Sequence, residues 1–181
     1  MLRRPSAIPR GGLHTHYALS IPASEYDDWY DQLAESFDLD EHTFGSARSL
    51  YFYDHDGNCV ELGESDGEEF GVHGMFEVVL EVEELARAES FYTDLGMEIV
   101  DQGSERRRTR LAADGFALEL WEPHLGLADA RGGVHVDLGV AVGDPKAALD
   151  AVVGSVRAVE RLDDGIRVRD PDGHFVTFVE G

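Results

Sequence analysis

Basic side chains are scarce in this chain, so the cluster Arg106, Arg107, Arg108 and Arg110 calls for a chemical explanation. If Leu111 faces the core, period-2 alternation turns Arg106, Arg108 and Arg110 to the opposite side of a strand. There they either balance nearby Asp and Glu or clamp a carboxylate or phosphate of a ligand with planar guanidinium forks. Arg167 takes the same face of a later strand and is a candidate for the same task. A second group is carboxylate and imidazole. Glu61 sits on an otherwise apolar strand in which Val60 and Leu62 face the core, so Glu61 and its neighbour Cys59 face away. His14 and His16 share the outward face of an earlier strand whose Tyr17, Leu19 and Ile21 point inward. Glu77, Glu119, His135 and Asp137 repeat this placement, with Trp121 beside Glu119 as a pocket wall or a packed aromatic. Tyr51 likewise faces away from the core. Other chemistries lack their motifs: there is no phosphate-binding glycine loop after a strand, no paired CxxC and no nucleophile elbow.

The elements that position these residues come in repeats. Leu50 to Leu62 reads as two strands around Asp54-His55-Asp56-Gly57-Asn58, where Gly57 is free to take positive φ. The pattern returns at Val168 to Phe178 around Asp170-Pro171-Asp172-Gly173-His174, and more weakly at Leu111 to Leu120. Each hairpin is preceded by an alternating strand and an amphipathic helix, giving three β-α-β-β-β units. The first helix carries Tyr26, Trp29, Tyr30, Leu33 and Phe37 as one stripe behind a Ser24 cap. The second ends at Gly96, and the third opens with Asp144-Pro145 in N-cap and N1 order. His42, His55 and His174 fall on surface or turn positions. Residues 1–12 read as a tail, 13–66 as a single unit, and 67–181 as two units that close on each other across a linker at 126–133. The fold class expected is α+β, with paired units curving into a cup.

Composition narrows the partners. The 181 residues hold 37 acidic and 15 basic side chains, a net charge of -22, and Lys146 is the lone lysine. Nucleic acid and anionic membranes are excluded as partners, because phosphate attraction has the wrong sign. Abundant acid with almost no lysine resembles the proteins of salt-loving microbes. A single cysteine, Cys59, rules out an internal disulfide framework. The opening Met1-Leu-Arg-Arg-Pro-Ser has no signal-peptide core, so a cytoplasmic protein is expected.

Phe52-Tyr53-Asp54-His55-Asp56-Gly57-Asn58-Cys59-Val60-Glu61-Leu62, Asp170-Pro171-Asp172-Gly173-His174 and Phe91-Tyr92-Thr93-Asp94-Leu95-Gly96 resemble the vicinal oxygen chelate superfamily. That superfamily includes glyoxalase I, the bleomycin and fosfomycin resistance proteins and the extradiol dioxygenases. The resemblance implies metal ligands on the first and last strands of paired units. Those positions hold His16 and Glu61, then Glu77 and Glu119, then Asp137 with Thr177 in place of a glutamate; His135, on the same strand face one pleat away, is the substitute candidate. The implied cofactor is a divalent ion of Ni, Zn, Mn or Fe. The implied activity is that of a glyoxalase- or dioxygenase-type enzyme on a small dicarbonyl or diol. The alternative is a metal-free small-molecule binding protein. His14, Tyr51, Cys59, Arg108, Trp121 and Arg167 would line the ligand site. With 67–181 closed on itself, the first unit would pair with its own copy in a homodimer; the competing arrangement pairs the first unit with the second and leaves the third exposed.

Overall fold

The computed structural model describes residues 15–55, 58–67, 70–103, 108–122 and 136–181. His14, His135, Arg106, Arg107, the 1–12 tail and the 126–133 linker lie outside the described residues. Three β-α-β-β-β units follow in order. The first comprises β1 (Thr15–Pro22), α1 (Tyr26–Ala34), β2 (Asp40–Phe44), β3 (Ala47–Tyr53) and β4 (Cys59–Ser65). The second comprises β5 (Gly74–Glu81), α2 (Leu85–Asp94), β6 (Glu98–Gln102), β7 (Arg108–Ala113) and β8 (Phe116–Trp121). The third comprises β9 (Asp137–Val142), α3 (Pro145–Val152), β10 (Ala158–Arg161), β11 (Gly165–Arg169) and β12 (Phe175–Glu180). Two of the expected helix termini hold, but the Ser24 cap does not: a short 3-10 turn (Ala23–Glu25) precedes α1, and Glu25 stands at its N-cap with no side-chain cap bond. Asp144 accepts a hydrogen bond from the Lys146 amide with Pro145 next to it, and Gly96 takes φ +93° just past α2.

Strand pairing departs from the expectation that units two and three share a cup. β1 pairs antiparallel with β5, which joins units one and two in an eight-stranded sheet of order β2-β3-β4-β1-β5-β8-β7-β6. Unit three forms its own sheet, β10-β11-β12-β9. All three first strands are apolar enough to be central, so alternation cannot say which two edges meet. With β1 already paired inside the chain, the reason for packing first unit upon first unit is gone.

Unit three is fixed to unit two from behind. Leu149 and Val152 of α3 and Val168 and Phe178 of its sheet share one core with Ala88, Phe91 and Tyr92 of α2. The turn between β11 and β12 is buried there. The Tyr92 hydroxyl donates to Asp170 Oδ2 at 2.9 Å, and Asp172 Oδ1 accepts from the Glu83 amide and Arg87, both at 2.8 Å. His174, expected at a surface turn, is fully buried with Nε2 3.1 Å from the Glu81 carbonyl. A smaller core of Ile21, Tyr26, Leu50, Val60 and Leu62 holds the first unit together. Tyr30 of the α1 stripe is exposed, and Tyr26 is the one residue of that helix fully covered.

Candidate functional site

β4, β1, β5 and β8 are consecutive in the large sheet, and each sends one donor to the same face. Those donors are Glu61, His16, Glu77 and Glu119, all of them 4–6% exposed. They line a cup of about 520 Å³ whose walls include Ser49, Tyr51, Arg108, Arg110 and Trp121. Arg108, Trp121 and Tyr51 are therefore where the alternation puts them. Cys59 lies beside His16 in the β1·β4 register but is buried and does not reach the cup wall. Burial, then the charge of Glu61, push its thiol up to about 12, so it is not a nucleophile at neutral pH.

Asp137 and Arg167 are not part of this cup. They sit on the separate sheet, where Arg167 pairs with Asp137 at 2.9 Å and Thr177 donates to Asp137 at 2.9 Å. Their roles as ligand and ligand contact are withdrawn from this site because unit three packs on unit two away from the cup and lends it no wall residue among the described residues.

The two halves of the cup are built differently. In the first, Glu61 stands opposite Tyr51 across β3 and β4. His16 Nε2 lies 3.4 Å from Glu61 Oε2, yet it is buried without a hydrogen-bond partner. Burial alone would raise the Glu61 pKa; His16, Ser49 and Tyr51 stabilise the carboxylate and leave it below its ordinary value. In the second half, Glu119 stands opposite Arg110. Glu119 Oε1 accepts from Arg108 at 2.7 Å and from Arg110 at 3.3 Å, and Oε2 accepts from the Trp121 indole at 2.7 Å. Arg110 also bonds Glu77, so one guanidinium bridges two carboxylates. Burial and then the neighbouring Glu119 charge push Glu77 up to about 8, because a shared arginine offsets only part of both.

Among the wall residues, Phe76 escapes simple alternation. Phe76 reads as a core residue, but the β1·β5 register skips it between Glu77 and Met75, a bulge that turns its ring into the cup. Gly63 makes room for that ring, since a Cβ there would lie 3.0 Å from it. Arg110 was recoverable. Asp114-Gly115 is a two-residue turn with both φ positive, and counting back from it sets Arg110 opposite Glu119.

The donor types suit a divalent ion, and the unpartnered, cup-facing His16 Nε2 is the kind of atom one would satisfy. As placed, no group of three or more His, Cys, Asp or Glu among the described residues is gathered tightly enough to hold one. The obstacle is specific: Arg108 and Arg110 occupy Glu119 and Glu77. His16 and Glu61 present ligand types that suit the ion and, among the described residues, carry no guanidinium, whereas Glu77 and Glu119 are held by Arg108 and Arg110.

Solved structures share this architecture. A Bacillus subtilis protein provisionally described as a dioxygenase superposes with a TM-score of 0.70 at 16% identity, over 95% of this chain and 63% of its own. The chain has the vicinal oxygen chelate fold. Glyoxalase I from Zea mays gives a TM-score of 0.65 at 19% identity over 95% of this chain and 69% of that one. A variant of the maize enzyme gives 0.68, also at 19% identity, over 95% and 70%. The chain thus spans about two thirds of the length of these vicinal oxygen chelate structures. No protein-family model and no curated protein sequence matches it.

Proposed function

We propose that the cup of units one and two is a metal-dependent site for a small oxygen-rich molecule, of dicarbonyl or diol type. The observation that carries this reading is the alignment of His16, Glu61, Glu77 and Glu119 on four consecutive strands, buried and facing one cavity of small-molecule size. A divalent Ni, Zn, Mn or Fe ion held by these side chains would act as a Lewis acid on two oxygens of the ligand. The rest is done by the chain itself. Tyr51 and Ser49 hold Glu61 ionised, the Trp121 indole orients Glu119, and Phe76 narrows the cup. Protein purified without chelator or affinity tag should carry about one equivalent of metal per chain by elemental analysis. His16→Ala and Glu61→Gln should each lower that content; metal retained unchanged in both would refute the assignment.

A second reading has its own support. Arg110 bridging Glu77 and Glu119 supplies a cation where a metal would sit, which favours a metal-free binding protein. Absence of metal from both the wild type and the two variants decides for it.

We also propose that the protein is a homodimer, through an edge other than the one the sequence suggests. β9 has no strand on its outer side among the described residues, whereas the equivalent strands β1 and β5 pair with each other. Pairing β9 with its own copy about a two-fold axis repeats that antiparallel join. Light scattering should give about twice 20.0 kDa. A monomer at working concentration would refute the pairing.

A further inference from the structure

Resting on the metal-site reading, the arrangement of the arginines points to the charge of the ligand. The cup holds Glu61, Glu77 and Glu119 together with Arg108 and Arg110. A fourth carboxylate in its wall, Glu64, is already neutralised by Arg48 at 2.8 Å. With an ion bound and all three carboxylates ionised, the cup sets three negative charges against two guanidiniums. A divalent ion would turn that into one net positive charge inside a cavity of limited solvent access, and such a site calls for an anion.

The geometry says which groups would receive it. Among the described residues, every hydrogen bond that Arg108 and Arg110 make inside the cup goes to Glu77 or Glu119, both positioned as ligands for the proposed ion. A carboxylate oxygen committed to a divalent cation is a poorer partner for a guanidinium that repels that cation. Arg110 would lose both of its partners, while Arg108 would keep exposed Asp101 at 2.6 Å. We propose that Arg108 and Arg110 are resident counter-cations that a divalent ion displaces from Glu119 and Glu77, and that the displaced guanidiniums form the subsite for an anionic group on the ligand. Carboxylate and phosphoryl groups share the required chemistry, since both accept a guanidinium fork. Ion and anion then bind with positive coupling, each raising the affinity of the other by the same factor.

The test uses Zn²⁺ alone and methylphosphonate alone as probes, then together. Trp121 reports the first step, because its indole donates to Glu119; in the Trp29→Phe protein it is the lone tryptophan, and Zn²⁺ should change its emission. Methylphosphonate binding, followed by ³¹P NMR, should tighten about tenfold or more when Zn²⁺ is saturating, the worth of a charge-assisted hydrogen bond. In Arg110→Gln that gain should shrink to less than about twofold, while Zn²⁺ itself binds more tightly for want of a competitor. Arg108→Gln leaves Glu77 untouched and should also reduce the gain, which guards against a folding defect in one variant. Zn²⁺ binding with no effect on methylphosphonate overturns the coupling and leaves the metal site standing. A gain that survives both substitutions means the ion binds the phosphonate directly and overturns the arginine subsite. Zn²⁺ bound by Arg110→Gln alone overturns displacement in the wild type. Zn²⁺ bound by neither protein refutes the metal site itself.

Discussion

Glu77 offers the sharpest test of the cup's electrostatics. Its carboxyl is 5% exposed and sits beside Glu119, and burial followed by that charge raises its pKa to about 8. The ordinary value is 4.5, so the folded protein binds a proton that the unfolded chain releases across the window from 4.5 to 8. Because the native state holds more protons there, stability must fall as pH rises through this window and level off above it. At 1.36 kcal/mol per unit, the ceiling of the effect is about 5 kcal/mol. The perturbation is Glu77→Gln, which keeps the shape of the protonated acid and cannot ionise. Its stability relative to the wild type should be near zero at pH 4.5 and climb to a gain of about 2–5 kcal/mol at pH 8. Urea unfolding at several pH values, with chelator present and salt held constant, gives this difference, and groups titrating alike in both proteins cancel. A difference that does not change with pH would refute the reasoning. So would a loss growing toward pH 8, which would mean that Glu77 is ionised and its pair with Arg110 is stabilising.

Three further outcomes follow from the same structure. Tyr92→Phe removes the donor to buried Asp170 Oδ2 and should cost about 2–3 kcal/mol in urea unfolding; a cost under about 0.5 would show that the turn of unit three is not anchored on α2. Cys59, with its thiol pushed up to about 12, should react with Ellman's reagent at pH 8 roughly a thousandfold more slowly in the folded protein than in urea. Equal rates would place that thiol outside the core. With a net charge of -22, raising KCl from about 0.1 to 2 M should raise the melting temperature by screening self-repulsion, and a flat or falling melting curve would argue against it.

What could be read from the sequence was local. Alternation put Tyr17, Val60 and Leu62 inside and His16 and Glu61 on the cup face, because side-chain parity in a strand depends on nearest neighbours alone. The Asp144-Pro145 start of α3 and the Gly96 end of α2 were legible for the same reason. What escaped was decided between elements. The choice of β1 over β9 as the neighbour of β5 was one such case, and with it went the idea that Asp137 and Arg167 share a site with the other candidate ligands. The bulge at Phe76 reversed the parity of a single residue, which alternation cannot anticipate. His174 is polar and lies in a turn, so its complete burial depends on where α2 and β5 arrive from the preceding unit.

The two halves of the cup follow one plan with one change. Each last strand carries a glutamate, and each has a hydrogen-bonding residue directly opposite on the neighbouring strand: Tyr51 against Glu61, Arg110 against Glu119. Tyr51 is neutral, and burial together with the Glu61 charge raises its pKa further, so it supports the carboxylate without competing for the place of a cation. Arg110 is charged and does compete. A cation entering the cup would therefore meet an open half, where His16 Nε2 lies near Glu61 but makes no hydrogen bond, and a defended half, where Glu77 and Glu119 must first be released. Had both opposing residues been neutral, Arg108 on Glu119 would be the one guanidinium left against the carboxylates among the described residues of the cup. Had both been arginines, the cup would hold enough positive charge to dispense with the metal. If the proposed ion binds, one of each would make ion and anion depend on one another, and position 110 is where that dependence would be set.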